Sequence, residues 1–434
     1  MKLNKYLLMA AMGLGLIACT ENDLVEGGDS NGAQNEGTTY VGFTIDFSKT
    51  QTRATTETGT DAEQKINTAY VILADGNTIS QVVSSADKES SKYVLKTTPG
   101  PHDFYVVVNP TTAPTTSNTV SEYFNTGVVI EANEFANTTT NSESFLMASV
   151  KKETFDIADG VTEEEALAGT DATANNFTIN VERVAAKVTM TCENTALTNA
   201  TNNADGTITT PEFTLKGGAT MSYRMAQNPF AEITGNDWIY ESSATDVYVK
   251  TGDETDLHQK ATPVYCLENL HDAETGYKQG NTTYLTLQTT FTPAKVVDCA
   301  DEIRALKNNT ATGTFYVVKQ GVLAGNYLME TDLTTYQNGD DSKLPAGVEA
   351  ISEAYTNGVC HFGPIWIGQE DANDADAPIY RNTWYNLKIT GIKLPGDPQE
   401  PKPDPNQPLT PATNVAITLS VMPWNFISRD IELQ

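Results

Sequence analysis

The sequence predicts an all-β fold made of two tandem antiparallel β-sandwich domains with a few short helices. Two observations carry this prediction. Short segments rich in β-branched and aromatic residues recur along the chain, and clusters of Asn, Gly, Pro and Thr separate them. Many short strands joined by turns are typical of antiparallel sandwiches. The chain has 434 residues, which is enough for a leader and about two domains of ordinary size.

The first predicted strand, residues 40–47, alternates apolar and polar side chains, as a strand with one buried face does. Later segments share its β-forming composition. They are residues 70–73, 93–95, 104–108, 177–181, 184–190, 247–249, 284–291, 315–318, 384–392 and 415–421. Helical patterns are few and lie at residues 162–168, 301–308 and 348–355.

Composition divides the chain into a leader, two domains and a tail. Polar, turn-rich sequence near residues 222–235 indicates the boundary between the domains. We therefore predict the following segments: 1–18, a signal peptide; 19–53, a tether and the first strand; 54–225, an N-terminal domain; 226–394, a C-terminal domain; 395–411, a proline-rich spacer; and 412–434, a C-terminal strand segment.

The leader has the features of a lipoprotein signal. Lys2 and Lys5 supply a basic start, and the apolar run over residues 7–18 is too short for a stable membrane span. The run ends in LIAC at residues 16–19, which is typical of a bacterial lipoprotein in which Cys19 is acylated and becomes the mature N-terminus. The alternative is a plain signal peptide with an incidental cysteine. Acyl chains on Cys19 would hold the precursor on a bilayer without a spanning helix.

Charge and cysteine content limit the possible partners. A net charge of −29 argues against nucleic acid, and against docking on anionic lipid through basic patches. Four cysteines follow the leader: Cys192, Cys266, Cys299 and Cys360. In an exported protein they could form disulfides in any of three pairings, or they could be buried thiols, and the sequence leaves both possibilities open.

Proline dominates the segment before the tail. Residues 395–411 hold seven of the 19 prolines of the chain. Because proline fixes φ and donates no hydrogen bond, this stretch cannot lie inside a sheet. We expect an extended spacer that reaches up to roughly 50 Å, at about 3.1 Å per residue.

The first strand and the tail offer the same pattern to one face of a sheet. The first strand presents Val41, Phe43, Ile45 and Phe47, and the tail presents Val415, Ile417, Leu419 and Val421. Each buried apolar side chain contributes about 1.5–3 kcal/mol, so either segment could bring roughly 6–12 kcal/mol to the same groove before ordering costs. The alternative is that both are ordinary strands of their own domains.

A search for catalytic and ligand-binding motifs indicates no enzyme, no cofactor and no metal site. GDSNG at residues 28–32 matches a nucleophile elbow, but it lies in a polar tether without the strand and helix that the motif needs. The histidines lack metal-ligand spacing. An acidic loop at residues 371–376 departs from a calcium loop at its fifth position and lacks the glycine, which favours a solvated loop.

Several short motifs, taken together, resemble the Bacteroidales fimbrillins, the major subunits of protease-dependent fimbriae, over essentially the whole chain. They are the lipobox ending at Cys19, VERVAAKV at 181–188, YCLEN at 265–269, YRNTWYNL at 380–387 and VMPWN at 421–425. From the residues alone, Arg183 and Lys187 are expected on the solvent face of a strand. Glu268 and Asn269 are expected to hydrogen-bond at a strand end. Pro423-Trp424 is expected to break the terminal strand and bury an aromatic anchor.

The resemblance implies sandwiches of the transthyretin-like, Greek-key type and a route of assembly. Such subunits are exported as lipoproteins and cut by an Arg-specific surface protease in the loop after the first strand. Arg53 is the first arginine of the chain and stands alone until Arg183, so the resemblance places the cut between Arg53 and Ala54. The cut would remove the lipid and the first strand together, and the tail of a neighbouring subunit, including Trp424, would fill the groove.

The resemblance thus predicts a non-enzymatic stalk subunit of an adhesive fimbria. Its partners would be further copies of the same chain, accessory, anchor and tip subunits, the protease, and the outer membrane through the lipid of the precursor. The mature subunit would lie in the extracellular fimbrium. A tip or accessory adhesin, or a glycan-binding surface lipoprotein, is the alternative. A tip subunit should lack a usable donor tail and a base subunit should keep its lipid, whereas this sequence has both the tail and the isolated arginine.

Overall fold

The computed structural model describes residues 38–47, 57–58, 60, 63, 65–85, 92–125, 145–169, 172–194, 206–227, 233, 238–239, 248–253, 262–300, 305–369, 374–410 and 415–425. Three residues of the predicted maturation scheme, Cys19, Arg53 and Ala54, lie outside these ranges. The described residues all belong to one compact unit.

Strands dominate the described residues, as the sequence predicts. In the N-terminal half they are β1 (Thr39–Phe47), β2 (Glu57–Thr58), β3 (Ala69–Asp75), β4 (Thr78–Ser85), β5 (Lys92–Thr97), β6 (Gly100–Val108), β7 (Met147–Ser149), β8 (Glu153–Ile157), β9 (Asn176–Arg183), β10 (Ala185–Cys192), β11 (Gly206–Ile208), β12 (Glu212–Lys216) and β13 (Gly218–Ala219).

The C-terminal half continues the pattern. Its strands are β14 (Trp238–Ile239), β15 (Val249–Lys250), β16 (Gly252–Asp253), β17 (Val264–Leu267), β18 (Tyr284–Pro293), β19 (Lys295–Val297), β20 (Leu306–Asn308), β21 (Phe315–Gln320), β22 (Tyr327–Met329), β23 (Ala350–Ile351), β24 (Val359–Trp366), β25 (Thr383–Ile392) and β26 (Val415–Asn425). The all-β prediction is therefore confirmed.

Two α-helices lie among the described residues, α1 (Glu163–Ala168) and α2 (Glu330–Gln337). Short single turns lie at Ser121–Asn125, Ala172–Ala174 and Thr356–Gly358. The predicted helix at 162–168 is confirmed, and a capping box explains its start. The Thr162 hydroxyl accepts from the Glu165 N–H, and the Glu165 carboxylate accepts from the Thr162 N–H.

The other two helix predictions are wrong, and one helix was not predicted. Leu306–Asn308 is a strand paired with β19, and Ala350–Ile351 is a strand paired with β21. Both segments are too short for periodicity to separate helix from strand. The unpredicted helix α2 has a polar sequence in which only Leu333 is buried, so it shows no apolar stripe.

The N-terminal sheet has eight strands in the order β4-β3-β6-β7-β9-β1-β5, with β8 also paired to β6. Most neighbours are antiparallel, but β1 runs parallel to β9. A first hydrophobic core packs on this sheet and includes residues of β1, β3, β6 and β9. Strand β1 therefore lies inside the sheet, with a neighbour on each side.

Two further sheets, of six and five strands, share a second hydrophobic core. One sheet has the order β16-β10-β25-β26-β2, with β17 also on β10, and the other has the order β11-β18-β12-β15, with β24 on β18. Residues of both sheets form the second core, among them Val188, Phe213, Leu287 and Leu387. Small sheets formed by β13–β14, β19–β20 and β21–β23 complete the described strands.

The chain changes sheet between Arg183 and Ala185. Strand β9 pairs in the N-terminal sheet, whereas β10 pairs with β17 and β25, and β12 pairs with β18. Strands β10 to β12 therefore pair with strands that follow residue 235, although they precede the turn-rich stretch at residues 222–235. A continuous β pattern runs through residues 177–190 without a turn signal, so composition could not mark the change.

Two general features of the chain follow from the described residues. None of their helices has the length and apolar character needed to cross a bilayer. The four cysteines after the leader all lie in the described ranges, and they form no disulfide there. Burial raises the pKa of the Cys266 thiol to about 12, which keeps it protonated and unreactive.

Candidate functional site: the first-strand groove and the C-terminal strand

Strand β1 is bonded along both of its edges. It runs antiparallel to β5, with Phe43 opposite Tyr93, and parallel to β9, with Phe43 opposite Phe177. Both neighbouring strands belong to sequence that follows Arg53. Removal of β1 would leave N–H and C=O groups of two strands without their ladder partners, and a sheet tolerates such a gap poorly.

The inner face of β1 is buried in the first core. Val41 and Phe43 are fully buried and Ile45 is 3% exposed. The Phe43 ring lies 4.7 Å from that of Phe104, measured between centroids. The structure thus places three of the four predicted inward-facing residues in the core, whereas the side chain of Phe47 lies outside the described residues.

The first residues of β1 contact residues 158–169, which we call the strap and which include α1. The buried Thr39 hydroxyl donates to the Ala158 carbonyl at 2.8 Å and accepts from the Val161 N–H at 3.1 Å. The Tyr40 N–H donates to the Val161 carbonyl at 3.0 Å. The buried side chain of Asn175 donates to the Tyr40 carbonyl, also at 3.0 Å. Side chains and backbone together hold the start of β1.

A buried carboxylate anchors the chain shortly after the candidate processing site. Glu63 is 2% exposed, and its Oε1 lies 2.8 Å from Lys187 Nζ and accepts from the Tyr265 hydroxyl at 2.7 Å. The Arg183 guanidinium donates to the Glu63 carbonyl at 3.0 Å. The Lys187 ammonium also lies 4.0 Å from the centre of the Trp384 ring. This cluster ties the chain at Glu63 to β9, β10 and β25.

The predicted solvent exposure of Arg183 and Lys187 is wrong. Arg183 is fully buried and Lys187 is 4% exposed. A charge in a strand is normally placed in solvent because its burial is costly. Here Glu63, far away in sequence, compensates that cost, and no local pattern could indicate the pairing. The VERVAAKV motif thus contributes two buried cations of one structural cluster.

The Glu63 cluster supports a stability prediction. Burial alone would raise the pKa of Glu63, but Lys187, the Tyr265 hydroxyl and the Thr60 N–H together hold that pKa below its ordinary value. Glu63→Gln leaves Lys187 buried without its counter-charge, so we expect the free energy of unfolding at pH 7 to fall by about 3–5 kcal/mol in chemical denaturation. Glu164→Gln, at an exposed carboxylate of α1, should cost less than about 0.5 kcal/mol.

The pH dependence of stability tests whether loss of the Glu63 charge causes this destabilisation. A carboxylate with a lowered folded-state pKa stabilises the fold above its unfolded pKa, near 4.5, and that contribution is lost as the pH falls below this value. The stability difference between the wild type and Glu63→Gln should therefore shrink on acidification below about pH 4.5. A difference that stays constant through that range would show that the loss comes from packing alone.

The C-terminal strand is paired within its own chain. Strand β26 runs antiparallel to β25 from Thr383 opposite Pro423 to Ile392 opposite Val415. The side chains of Ile417 and Leu419 are half-buried against the second core. Those of Val415, Val421 and Trp424 lie outside the described residues. Within the single chain, the tail therefore lies along the edge of β25.

Two consequences follow for the end of the tail. Strand β26 continues to Asn425, so the prediction that Pro423 breaks the strand is wrong, because one missing N–H does not end a β backbone. Beyond Pro423, the other edge of β26 pairs in parallel with β2, with Glu57 opposite Trp424. The residues just after the candidate processing site therefore lie beside the tail strand.

The proline-rich segment is held against the C-terminal half. The Trp366 indole N–H donates to the Thr410 carbonyl at 2.7 Å, and the backbone of His361 exchanges two hydrogen bonds with Asp397. Glu400 accepts from the Thr286 hydroxyl at 2.8 Å. Residues 397–410 are therefore bound to distant strands through both backbone and side-chain hydrogen bonds.

The YCLEN motif ends β17, and its last two residues form polar contacts there, as the sequence predicts. Glu268 forms a 2.8 Å ion pair with Arg381, and the Asn269 side chain donates to the Asn281 carbonyl at 2.8 Å. Arg381 also donates to the backbone carbonyls of Tyr223 and Arg224. These contacts are structural. In the described ranges, no group of three or more His, Cys, Asp or Glu side chains is arranged to bind a metal.

The region that carries β25 and β26 matches a known family. Residues 353–430 match the model described as the major fimbrial subunit protein type IV, fimbrillin, C-terminal. This part of the chain is therefore similar to the C-terminal region of the fimbrillins. The matched part contains β24, the proline-rich segment and the β25–β26 pair. No curated protein matches the chain.

Solved structures are similar to this chain over most of its length. One is a fimbrilin (fimA) from Porphyromonas gingivalis, with 18% identity, coverage of 91% of this chain and 99% of the other, and a TM-score of 0.48. Another is a putative cell adhesion protein from Parabacteroides distasonis, with 14% identity, 90% and 98% coverage, and a TM-score of 0.48. A third is the tip fimbrial protein Mfa3 of P. gingivalis, with 14% identity, 89% and 100% coverage, and a TM-score of 0.40.

Proposed function

We propose that this protein is a fimbrillin and the polymerising stalk subunit of a cell-surface fimbria. In this scheme it is exported as a lipoprotein acylated at Cys19 and cut between Arg53 and Ala54 by an Arg-specific protease. The cut releases β1 with the lipid, and the tail of the next copy, residues 415–425, takes the place of β1. Adhesion is then the property of the filament, and the subunit itself needs no catalytic site.

The position of β1 carries the proposal. It is the first described strand of the chain, it precedes Arg53, and it lies between β9 and β5 with its apolar side chains in the core. Its departure would open a groove bounded by two strands that stay behind. Only another strand can satisfy the backbone groups on both sides of such a groove, and an alternating apolar segment would refill its floor.

The pairing at the tail supports a connection between the cut and donor release. Strand β2 follows Arg53 by a few residues and pairs with the end of β26, and Glu63 fixes the chain a few residues later. Before the cut, β2 is connected to β1 on one side and to Glu63 on the other. After the cut, β2 is anchored only on the side of Glu63. A single cleavage would therefore weaken the pairing of β2 with the donor strand β26 and also open the acceptor groove.

Assembly of this kind is open-ended. Each subunit donates at one end and accepts at the other, so the contact is head-to-tail and grows a filament rather than a closed ring. The uncut precursor cannot accept a partner, because β1 fills the groove. Polymerisation would therefore begin only outside the cell, after proteolysis.

The N-terminus of the protein on the cell surface tests the proposal. We expect Edman sequencing or terminal mass spectrometry of isolated filaments to give Ala54 as the first residue, and the membrane fraction to contain a minor acylated Cys19 form. An acylated Cys19 on the filament subunits themselves would contradict the stalk assignment and would favour an anchored surface lipoprotein.

A further inference from the structure

A glycine in β1 lies directly beneath the strap. Gly42 is buried, and a Cβ atom at this position would overlap the carbonyl oxygen of Ala166 in α1. It would also lie 3.0 Å from the side-chain nitrogen of Asn176. That nitrogen donates to the same Ala166 carbonyl at 2.7 Å, which fixes α1 over the strand. The closed position of α1 therefore requires a residue without a side chain at this point of β1.

Thr39 provides a second specific contact with the strap. It is fully buried, and its hydroxyl donates to Ala158 and accepts from the Val161 N–H and the Asn175 side chain. A residue without a hydroxyl at this position would leave buried polar groups of the strap and of Asn175 with fewer partners, which disfavours its binding. A strand that occupies this groove is therefore expected to carry a hydroxyl at the position of Thr39.

The tail sequence meets one of these requirements and fails the other. If a donor strand ran in the direction of β1, only one register would superimpose all four apolar residues of the two segments, with Val415 at the position of Val41. In that register Thr413 coincides with Thr39 and Thr418 with Thr44, whereas Ala416 coincides with Gly42. Residues 413–425 contain no glycine, so no shift of register brings one beneath Ala166.

We propose that the donor strand of a second copy enters the groove in the register that places Thr413 at the Thr39 position, and that Ala416 then displaces α1 from the groove. This inference rests on the proposed strand exchange and adds its register, a specificity-determining residue and a structural mark of the assembled state. The strap binds the start of either strand through the hydroxyl. Helix α1 closes only over the strand that carries Gly42.

A peptide of residues 411–434 tests the register. The full chain is cut at Arg53 with an arginine-specific protease, and binding of the labelled peptide is followed by fluorescence anisotropy. We expect Thr413→Val in the peptide to weaken binding by about 10-fold, because the β-branched shape is kept and only the buried hydroxyl is lost. The matched control, Thr418→Val, replaces the counterpart of the half-buried Thr44 and should change binding by less than about two-fold.

The amides of α1 test the displacement. The Ala166 N–H bonds to the Thr162 carbonyl and the Gly169 N–H bonds to the Glu165 carbonyl, so both should be protected from hydrogen exchange in the uncut chain. Binding of the wild-type peptide should leave these amides in fast exchange. The Ala416→Gly peptide should restore their protection, since it lets α1 close.

The precursor allows a check without any peptide. Gly42→Ala in the uncut chain should expose the same α1 amides to exchange while the ladder amides of β1 stay protected. Thr44→Ala, on the same face of the same strand, should leave α1 unchanged. If Gly42→Ala does not fold, the Ala416→Gly peptide still decides the question.

The outcomes separate this inference from the proposed function. Failure of all the peptides to bind would overturn the proposed strand exchange and this inference with it. Equal binding of the wild-type and Thr413→Val peptides, or equal protection of α1 with the wild-type and Ala416→Gly peptides, would overturn only the inference.

Discussion

Arg53→Ala abolishes maturation and filament growth in this account. Without the arginine, the protease has no basic residue at the predicted site, so β1 stays covalently attached and fills its groove. Cells should then carry a full-length, lipidated subunit at normal amount, and electron microscopy should show no long fibres. The expected effect is a complete loss of filaments, because the groove offers no other point of entry.

Lys49→Ala provides the matched control for this experiment. Lys49 is the nearest basic residue before Arg53 and lies in the same connecting segment. If the protease is specific for arginine, this variant should be cut and should polymerise as the wild type does. Long fibres built from uncut, lipidated Arg53→Ala subunits would refute the role of cleavage.

Removal of residues 415–434 should convert the subunit into a chain terminator. The deleted protein keeps β1, Arg53 and the acceptor groove, so after cleavage it can still receive a donor strand but cannot supply one. When it is mixed with the wild type, mean filament length should fall as its proportion rises. Alone, it should give no filaments.

The deleted protein should remain folded. Strand β26 covers one edge of β25, and its described side chains are only half-buried, so we expect the free energy of unfolding to fall by about 2–4 kcal/mol. Circular dichroism and thermal unfolding would measure this. Deletion of residues 430–434, beyond β26, is the control and should preserve both stability and polymerisation. If the protein without residues 415–434 is unfolded, β26 is an essential strand of its own domain.

The inner face of β1 could be predicted from sequence because its determinant is local. Val41, Phe43 and Ile45 alternate with polar residues, and a period of two places them on one face in any sheet. The predicted helix at 162–168 was confirmed for a similar reason, since Thr162 and Glu165 cap it from within the same turn. Such features depend on neighbours in sequence alone.

The features that sequence could not predict depend on distant partners. Arg183 and Lys187 are buried because Glu63 lies beside them, and no spacing rule connects these residues. The proline-rich segment is bound because Trp366 reaches Thr410. The alternating apolar pattern of the tail suits any sheet with one buried face, so alternation alone could not decide where β26 lies.

The occupant of the groove between β5 and β9 in the assembled filament decides whether strand replacement is the basis of polymerisation. An atomic map of the filament should show residues 415–421 of the adjacent subunit in that groove, with a chain that begins at Ala54. If the map shows residues 39–47 of the same subunit there, strand replacement is excluded as the basis of polymerisation.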